Sequence, residues 1–154
     1  MKTIVNLTLK KENFKYIEET IPEYTVVEVT EEVFSVYVTK IQHIINQFNK
    51  EFVWDSMFDL KEVENRINTG VSLYLLFKET VPIGYCFIRD QIMFNFYVSR
   101  EYPRSKYTPV YFCNKVIYDY IYNKKKADSL TVNCEEWNHW GQRIVLENNF
   151  KYNE

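Results

Sequence analysis

The apolar residues of the stretch 33–48 recur every three to four positions, which is the period of one face of a helix. Thr30 lies just before this stretch and predicts its N-terminal cap. A second helix is predicted to begin at Asp59, since Glu62 follows three residues later as in a capping box, and to end at Gly70. The first half of the chain therefore contains two predicted helices.

Helical spacing returns in the C-terminal half of the chain. Apolar residues at this spacing predict a third helix over 109–123, and a fourth helix is predicted over 138–148. Three consecutive lysines, residues 124–126, end the third helix, where positive charge interacts favourably with the helix dipole. We interpret this lysine run as a solvated helix end rather than as a nucleic-acid patch.

Short stretches rich in β-branched and aromatic residues predict the strands of a sheet. They are residues 3–9, 24–29, 72–78, 83–89, 91–99 and 129–134, and the short tail can add one more. Residues 79–82 are expected to form a hairpin turn. Together with the helices, this order predicts an α/β fold with a mixed, mostly antiparallel central sheet and helices on both faces.

Composition and charge narrow the class of protein. The 154 residues suit a single domain with one core. The aromatic fraction of 18% would allow base stacking, but a net charge of −2 argues against a nucleic-acid partner, because such domains usually carry a basic excess. The sequence has no signal-peptide pattern and no apolar run near the roughly 18 residues of a membrane span. We therefore expect a soluble, cytoplasmic protein without a membrane partner.

The cysteines and histidines show no ligand spacing. Cys86, Cys113 and Cys134 each lie in an apolar segment, so buried free thiols are expected. His139 follows Cys134 and Glu135 closely, but the chain has only two histidines and no paired ligands. We therefore expect no metal site.

One late stretch matches a family motif. Following a predicted strand, four residues have the spacing of the motif N-x-x-A-x-x-L-Y-E-K-x-G-F: Asn138, Gly141, Ile144 and Phe150. Asn149 stands at the glycine of this motif, and asparagine is the next-best residue for a left-handed helix end. The motif, the stretch VPIGYCFI and the order of predicted elements resemble the GCN5-related N-acetyltransferases (GNAT). The resemblance covers about residues 24–150 and implies a single GNAT-like domain.

The resemblance implies an acetyl-CoA site. In the family, a loop reading Q/R-x-x-G-x-G/A holds the pyrophosphate of CoA with its backbone N–H groups at a helix N-terminus. Arg104 takes the first position here, whereas Tyr107 and Pro109 replace the two glycines, and proline has no N–H. The expected contacts from this loop are Arg104, Ser105, Lys106, Tyr107, Thr108 and Val110. The loop is either a working phosphate site or an ordinary basic loop capped by Thr108.

The same resemblance assigns further cofactor contacts. The backbone of Phe96, Tyr97 and Val98 lies where family members bind the pantetheine arm and polarise the thioester carbonyl. Asn138 is carried over from the late motif as another contact. In many members a tyrosine of that motif protonates the leaving thiolate, but here the position is Val145, which cannot donate a proton.

Acetyl transfer also needs a base to take the proton of the amine. The candidates are Glu135 and Glu136, just past the late strand, and then Tyr97 and Glu101. Trp54 and Asp55 lie at the family's acceptor groove, where they either form its wall or belong to the core.

We expect acetyl-CoA-dependent N-acetyl transfer to a primary amine of a small molecule or a protein. The alternative is a catalytically inactive GNAT-like domain that serves as a protein-binding or assembly component. The replaced loop glycines, Val145 and the short sequence after Phe150 favour this alternative. Family members complete the sheet with further strands, so we expect either the segment 3–9 or a second subunit to cover that edge, and hence a possible homodimer.

Overall fold

The computed structural model describes residues 3–52, 59–101, 107–124 and 127–153. In chain order its elements are β1 (Ile4–Lys10), β2 (Tyr24–Val29), α1 (Phe34–Glu51), α2 (Leu60–Asn68), β3 (Ser72–Lys78), β4 (Val81–Arg89), β5 (Ile92–Val98), α3 (Tyr107–Tyr118), β6 (Ser129–Glu135), α4 (His139–Leu146) and β7 (Lys151–Tyr152). A π-helical stretch, Asp119–Lys124, continues α3. Each predicted element is present, with ends shifted by a few residues.

The strands form one seven-stranded sheet in the order β2-β3-β4-β5-β6-β1-β7. Neighbouring strands run antiparallel in the pairs β2–β3, β3–β4, β1–β6 and β1–β7, whereas β5 and β6 run parallel. The predicted α/β class and mixed, mostly antiparallel sheet are therefore confirmed.

The chain divides into two compact units. The first unit comprises Met1–Thr20, Asp90–Phe94 and Arg104–Glu154, and the second comprises Ile21–Arg89 and Asn95–Pro103. Strand β5 contributes its first residues to one unit and its last residues to the other. The single domain expected from the sequence remains a prediction.

In the first unit, the N-terminal strand β1 lies between β6 and β7. It pairs with β6 along its whole length, from Ile4 opposite Glu135 to Lys10 opposite Ser129, and with the two residues of β7 on its other side. The expectation that the N-terminal segment covers this edge is confirmed. Fully buried side chains of this unit include two from β1 and four from α3: Leu7, Leu9, Phe112, Cys113, Val116 and Ile117.

A buried amide network ties α3 to α4 and to the N-terminal segment within the first unit. The Asn114 side chain accepts a hydrogen bond from the Ile17 backbone N–H at 2.9 Å and donates to the Lys15 carbonyl at 3.0 Å and to Asn148 Oδ1 at 2.8 Å. Asn148 in turn donates to the Val110 carbonyl at 3.3 Å. Both asparagines are almost fully buried, so their amides are satisfied by these bonds rather than by water.

In the second unit, β3 is apolar along nearly its whole length and is buried from Ser72 to Phe77. Helix α1 packs against β4, and α2 packs against α1 and β3. The helices contribute their apolar stripes to this core: Ile41, Ile44 and Ile45 from α1, and Val63 and Ile67 from α2. The hydrophobic periodicity of these helices thus predicted their buried faces.

The predicted helix ends have mixed outcomes. Asp59 caps α2 by accepting a hydrogen bond from the Glu62 N–H at 2.9 Å, and Gly70 has the left-handed φ of 93° expected just after this helix. The predicted cap of α1 at Thr30 is wrong. A 3-10 turn, Glu31–Val33, precedes α1, so Val33 is its N-cap and the Thr30 side chain makes no capping bond.

The turn between β3 and β4 is shorter than predicted. Glu79 and Thr80 form it, and β4 begins at Val81. Pro82 lies inside the strand, next to a register shift between Leu76 and Phe77 of β3. This is the expected place for a proline, since it has no N–H for the ladder.

The three cysteines are buried free thiols, as the sequence predicts. In the described ranges, no helix is both long and apolar enough to cross a membrane.

Candidate active site

Strand β5 contains a residue in the left-handed conformation. Asn95 has a φ of 51°, which is typical of a β-bulge that re-aims the residues after it. Its side chain accepts a hydrogen bond from Arg66 Nη1 at 3.0 Å. Arg66 is held in turn by Glu62 at 3.0 Å and lies over the Phe87 ring at 4.6 Å. These contacts fix the irregular residue that precedes the predicted pantetheine contacts Phe96–Val98.

Gly84 lets β4 approach the backbone of β5 at Tyr97. A Cβ atom at Gly84 would lie 2.8 Å from the Tyr97 carbonyl oxygen and 3.3 Å from Val98 Cγ2. Next to this contact, the Ser99 N–H donates a hydrogen bond to the Ile83 carbonyl at 2.7 Å. The glycine of the stretch VPIGYCFI is therefore required by a close approach of two backbones.

The ring of Tyr97 lies in an aromatic cluster. It makes edge contacts with Phe48 and Phe52 of the α1 end, with ring centroids 5.2 Å and 5.9 Å away, and a tilted contact with Tyr85 at 5.4 Å. Tyr97 is 4% exposed, whereas Phe48 and Phe52 are half-buried. The cluster thus has a closed inner side and two rings that still reach the surface.

The hydroxyl of Tyr97 is the unusual atom of this cluster. It is buried and makes no hydrogen bond of good geometry with any residue in the described ranges, although the Ser99 hydroxyl and the Glu51 carboxylate both face it. Burial raises the pKa of this hydroxyl far above its ordinary value, and the negative charge of Glu51 adds to the rise. Tyr97 is therefore a neutral tyrosine, able to donate or accept a hydrogen bond, rather than a base.

Glu51, the last residue of α1, places a carboxylate beside this hydroxyl. It accepts hydrogen bonds from the Ser99 hydroxyl at 2.6 Å, from Gln47 Nε2 at 2.8 Å and from the Arg100 N–H at 3.0 Å. Burial acts to raise the pKa of Glu51, but the hydrogen bonds outweigh it, so the pKa lies below its ordinary value. Glu51 is therefore ionised at neutral pH, and its position is fixed by groups from α1 and the end of β5.

Glu101 lies next to Glu51 but has a different environment. Its carboxylate accepts a hydrogen bond from Gln47 at 2.7 Å and forms an ion pair with Lys50 at 3.3 Å. These two partners lower the pKa of Glu101. Its charge is already paired with a lysine, whereas Glu51 has no such partner among the described residues.

The first unit holds the predicted phosphate contacts at the start of α3. The helix begins at Tyr107, so Thr108 and Pro109 lie inside the first turn rather than before it. Thr108 and Val110 are buried, and Tyr107 is partly exposed, with its pKa raised by burial and by the neighbouring Glu19. Arg104, Ser105 and Lys106 lie outside the described residues, as do Trp54 and Asp55.

The late motif lies at the start of α4, also in the first unit. Asn138 Oδ1 accepts a hydrogen bond from the Gly141 N–H at 3.0 Å and so caps the helix. A Cβ atom at Gly141 would come within 2.9 Å of the Asn138 side chain, which explains the small residue. Glu135 accepts a hydrogen bond from the Trp137 indole, and Glu136 is exposed. The roles predicted for Glu135, Glu136 and Asn138 stay predictions.

The residues that follow α4 have the conformation and burial expected from the late motif. Asn149 has a φ of 70°, the left-handed conformation expected of it, and Phe150 is buried. Val145, at the position of the family's tyrosine, is 3% exposed. In the described ranges, no group of three His, Cys, Asp or Glu side chains could hold a metal ion.

Sequence reasoning missed Glu51 and Ser99. Their hydrogen bond joins residues 48 positions apart, and it depends on how α1 packs against the sheet. The one local signal is the spacing of Gln47 and Glu51, which places both on the same face of α1.

The fold is that of the GNAT acetyltransferases. The structural match to a tandem GNAT protein from the clavulanic acid biosynthesis pathway covers 96% of this chain and 49% of that protein's chain, with a TM-score of 0.67 and 10% sequence identity. The match to an aminoglycoside acetyltransferase from an uncultured soil metagenomic sample covers 84% of this chain and 90% of that protein's chain. Its TM-score is 0.63 and its sequence identity is 12%, and that structure was solved in complex with trehalose. The match to a GCN5-related N-acetyltransferase from Kribbella flavida covers 97% of this chain and 56% of that protein's chain, with a TM-score of 0.57 and 11% sequence identity.

These likenesses confirm the GNAT-like fold expected from the sequence, and at such identities they establish the fold alone. The chain spans about half the length of the first solved structures that it matches. No protein-family model matches the sequence, and no curated protein is significantly similar to it.

Proposed function

We propose that this chain is an acetyl-CoA-dependent N-acetyltransferase that acts on a primary amine of a small molecule or a protein. The observation that carries the proposal is the Glu51 carboxylate, kept ionised beside the buried Tyr97 hydroxyl at the end of β5. An ionised carboxylate held in a fixed position can take the proton of an amine, and it occurs here in a fold that acetyltransferases share.

Glu51 is the base in this proposal. The amine nitrogen forms a bond to the acetyl carbonyl carbon, its proton passes to the Glu51 carboxylate, and the bond from carbonyl carbon to sulfur breaks. Bound acetyl-CoA supplies the acetyl group as a thioester, whose thiolate is a fair leaving group. Glu51 replaces Glu135 and Glu136 as the preferred base, because its charge is fixed by three hydrogen bonds.

The described residues offer suitable groups for the cofactor. The first turn of α3 presents backbone N–H groups at the positive end of a helix dipole, which suits a pyrophosphate. The left-handed residue Asn95 and the close approach at Gly84 adjoin the backbone of Phe96–Val98, which we expect to contact the pantetheine arm. Arg104, Ser105 and Lys106 complete the predicted phosphate contacts.

A catalytically inactive GNAT-like domain that binds a protein partner is the second candidate. Two observations favour it: Val145 is buried where many members have a tyrosine acid, and Pro109 removes a donor from the first turn of α3. A cytoplasmic location and a possible homodimer are further parts of our proposal, although β1 rather than a second subunit pairs with β6.

Thermal unfolding with acetyl-CoA, CoA or ATP tests the proposal. A ligand at a hundred times its Kd should stabilise the protein by about 2.7 kcal/mol, which raises Tm by about 2–8 °C. We expect acetyl-CoA and CoA to raise Tm and ATP to leave it unchanged. If none of the three raises Tm at millimolar concentration, the transferase is excluded and the second candidate stands.

A further inference from the structure

We propose that Gln47 is a positioning residue, which separates the charges of Glu51 and Glu101 and holds the Glu51 carboxylate in one orientation. This inference rests on the proposed function in one respect: Glu51 is the base that takes the proton of the amine. The hydrogen bonds of Gln47 exist whether or not the chain transfers acetyl groups, so the two claims can be tested separately.

Gln47 is a polar residue among the buried residues of α1. The other buried residues of this helix are Ile41, Ile44 and Ile45, and Gln47 is only 9% exposed. A buried amide loses its hydrogen bonds to water, so it is stable there only when protein groups replace them. The hydrogen bonds of the amide therefore explain why a glutamine fits this position.

One nitrogen of Gln47 bonds to two carboxylates. Its Nε2 donates to Glu51 Oε2 at 2.8 Å and to Glu101 Oε2 at 2.7 Å. A side-chain amide nitrogen has two hydrogens, so each carboxylate receives one of them. Glu51 and Glu101 are therefore close neighbours in space, although they lie far apart in the sequence.

Two neighbouring carboxylates tend to share one proton, because like charges repel and the pKa of one of them rises. Here the bonds from Gln47 and Lys50 outweigh the repulsion from Glu51, and the pKa of Glu101 is lowered. At Glu51, burial acts most strongly and raises the pKa, and the bond from Gln47 is the strongest influence that lowers it. Gln47 thus opposes the protonation of both groups.

The end of β5 supplies a second link between the same two residues. The Ser99 hydroxyl accepts a hydrogen bond from the Glu101 N–H at 3.2 Å and donates one to Glu51 Oε2 at 2.6 Å. Gln47 donates to the same oxygen of Glu51. Two donors from different elements therefore fix the orientation of this carboxylate, and removing one of them should release it.

A pH titration of Glu51 tests the inference directly. The carboxyl carbon of Glu51 is followed by ¹³C NMR and assigned by its absence in Glu51→Gln. Gln47→Met keeps the approximate shape of the side chain and removes both N–H donors. We expect this variant to raise the pKa of Glu51 by about one unit, since a hydrogen bond to a charged group has about this effect or more. An unchanged pKa of Glu51 would overturn the inference.

The remaining charged and titratable groups near the two carboxylates are unchanged in Gln47→Met. They are Lys50, Tyr85, Tyr97 and Arg100. A rise in the pKa of Glu51 in this variant therefore reports the loss of the amide and not the loss of another charge.

Gln42→Met is the matched control on the same helix. Gln42 donates to Asn46 at 2.8 Å, also across one turn of α1, but this bond is exposed and involves no carboxylate. The control should leave the pKa of Glu51 as it is in the native chain. A rise equal to that in Gln47→Met would show that the effect is not specific to Gln47, and the inference would be wrong.

A double variant tests the separation of the two charges. In Gln47→Met combined with Glu101→Gln, the neighbouring negative charge is absent as well, and the repulsion that destabilises Gln47→Met is relieved. The pKa of Glu51 should therefore rise by less than in Gln47→Met alone. An equal rise in the two variants would contradict the claim that Gln47 separates these charges.

The pH profile of acetyl transfer distinguishes this inference from the proposed function. If Glu51 is the base, the acid limb of the kcat/KM profile should move to higher pH in Gln47→Met by the same amount as the pKa of Glu51. If that pKa rises but the native chain acetylates no amine, the transferase is wrong and Gln47 still positions Glu51. If the native chain is active and neither the pKa nor the profile moves, only the role of Gln47 is wrong.

Discussion

The Ser99 hydroxyl donates a 2.6 Å hydrogen bond to the carboxylate of Glu51, 48 positions earlier in the chain. The bond joins the end of α1 to the residue after β5. It helps to hold an ionised carboxylate beside the buried Tyr97 hydroxyl. Our account of the protein follows from this relationship, and each of its parts can be tested separately.

Replacing Tyr97 by phenylalanine should stabilise the empty protein. The variant keeps the ring contacts and removes a buried hydroxyl that makes no hydrogen bond of good geometry. We expect the free energy of unfolding to rise by about 1 kcal/mol in urea titrations, while acetyl transfer falls. A lower free energy of unfolding would show that the hydroxyl is satisfied in the folded protein.

Acid should destabilise the protein partly through Glu51. Its pKa is lower in the folded state than its ordinary value of 4.5, so it contributes stability that is present above pH 4.5 and is lost as the pH falls through the folded pKa. Urea titrations between about pH 6 and 3 should therefore show a smaller loss of stability in Glu51→Gln than in the native chain. Lys50, Arg100 and Glu101 are the charged residues near this carboxylate.

That comparison has an internal check. If Glu51→Gln and the native chain lose stability in parallel over this range, the Glu51 carboxylate is not stabilised by its hydrogen bonds in solution.

Gly84→Ala should perturb both stability and the site. The added Cβ would lie 2.8 Å from the Tyr97 carbonyl oxygen, a backbone atom that cannot move aside alone. We expect a loss of about 1–3 kcal/mol in the free energy of unfolding, together with weaker acetyl-CoA binding.

Gly70→Ala is the matched control. Gly70 has a φ of 93° and no atom within 4 Å of the added Cβ, so the change should cost about 1 kcal/mol through backbone strain alone. Its acetyl-CoA affinity should equal that of the native chain. If the two alanine variants bind acetyl-CoA equally well, the close approach at Gly84 does not matter for the cofactor.

Asn114→Ala should destabilise the first unit strongly. It would remove the partner of the Ile17 N–H and the Lys15 carbonyl, which are partly buried, and of Asn148 Oδ1, which is buried. We expect a loss of about 3 kcal/mol, measured by urea unfolding. Asn123→Ala, which removes only an exposed bond to Asp119, should cost less than about 0.5 kcal/mol. Similar losses in the two variants would contradict the role of the buried network.

The sequence predicted local features well and the candidate base poorly. Periodicity located the helices, and the motif position of Asn149 predicted its left-handed conformation. Thr30 failed as a cap because a 3-10 turn intervenes, which no local pattern indicated. Glu51 could not be predicted as a candidate base, since this role depends on its contacts with Ser99 and Tyr97. These two residues lie near the end of α1 only in the folded protein.

The most direct test of the account is acetyl transfer by the native chain and Glu51→Gln. Purified protein is mixed with acetyl-CoA and a panel of primary amines, and the release of the CoA thiol is followed. We predict turnover by the native chain, a loss of about 10²–10⁴-fold in Glu51→Gln, and nearly native turnover in Glu101→Gln. An undiminished rate in Glu51→Gln would contradict its role as the base, and no thiol release with any amine would contradict the transferase itself.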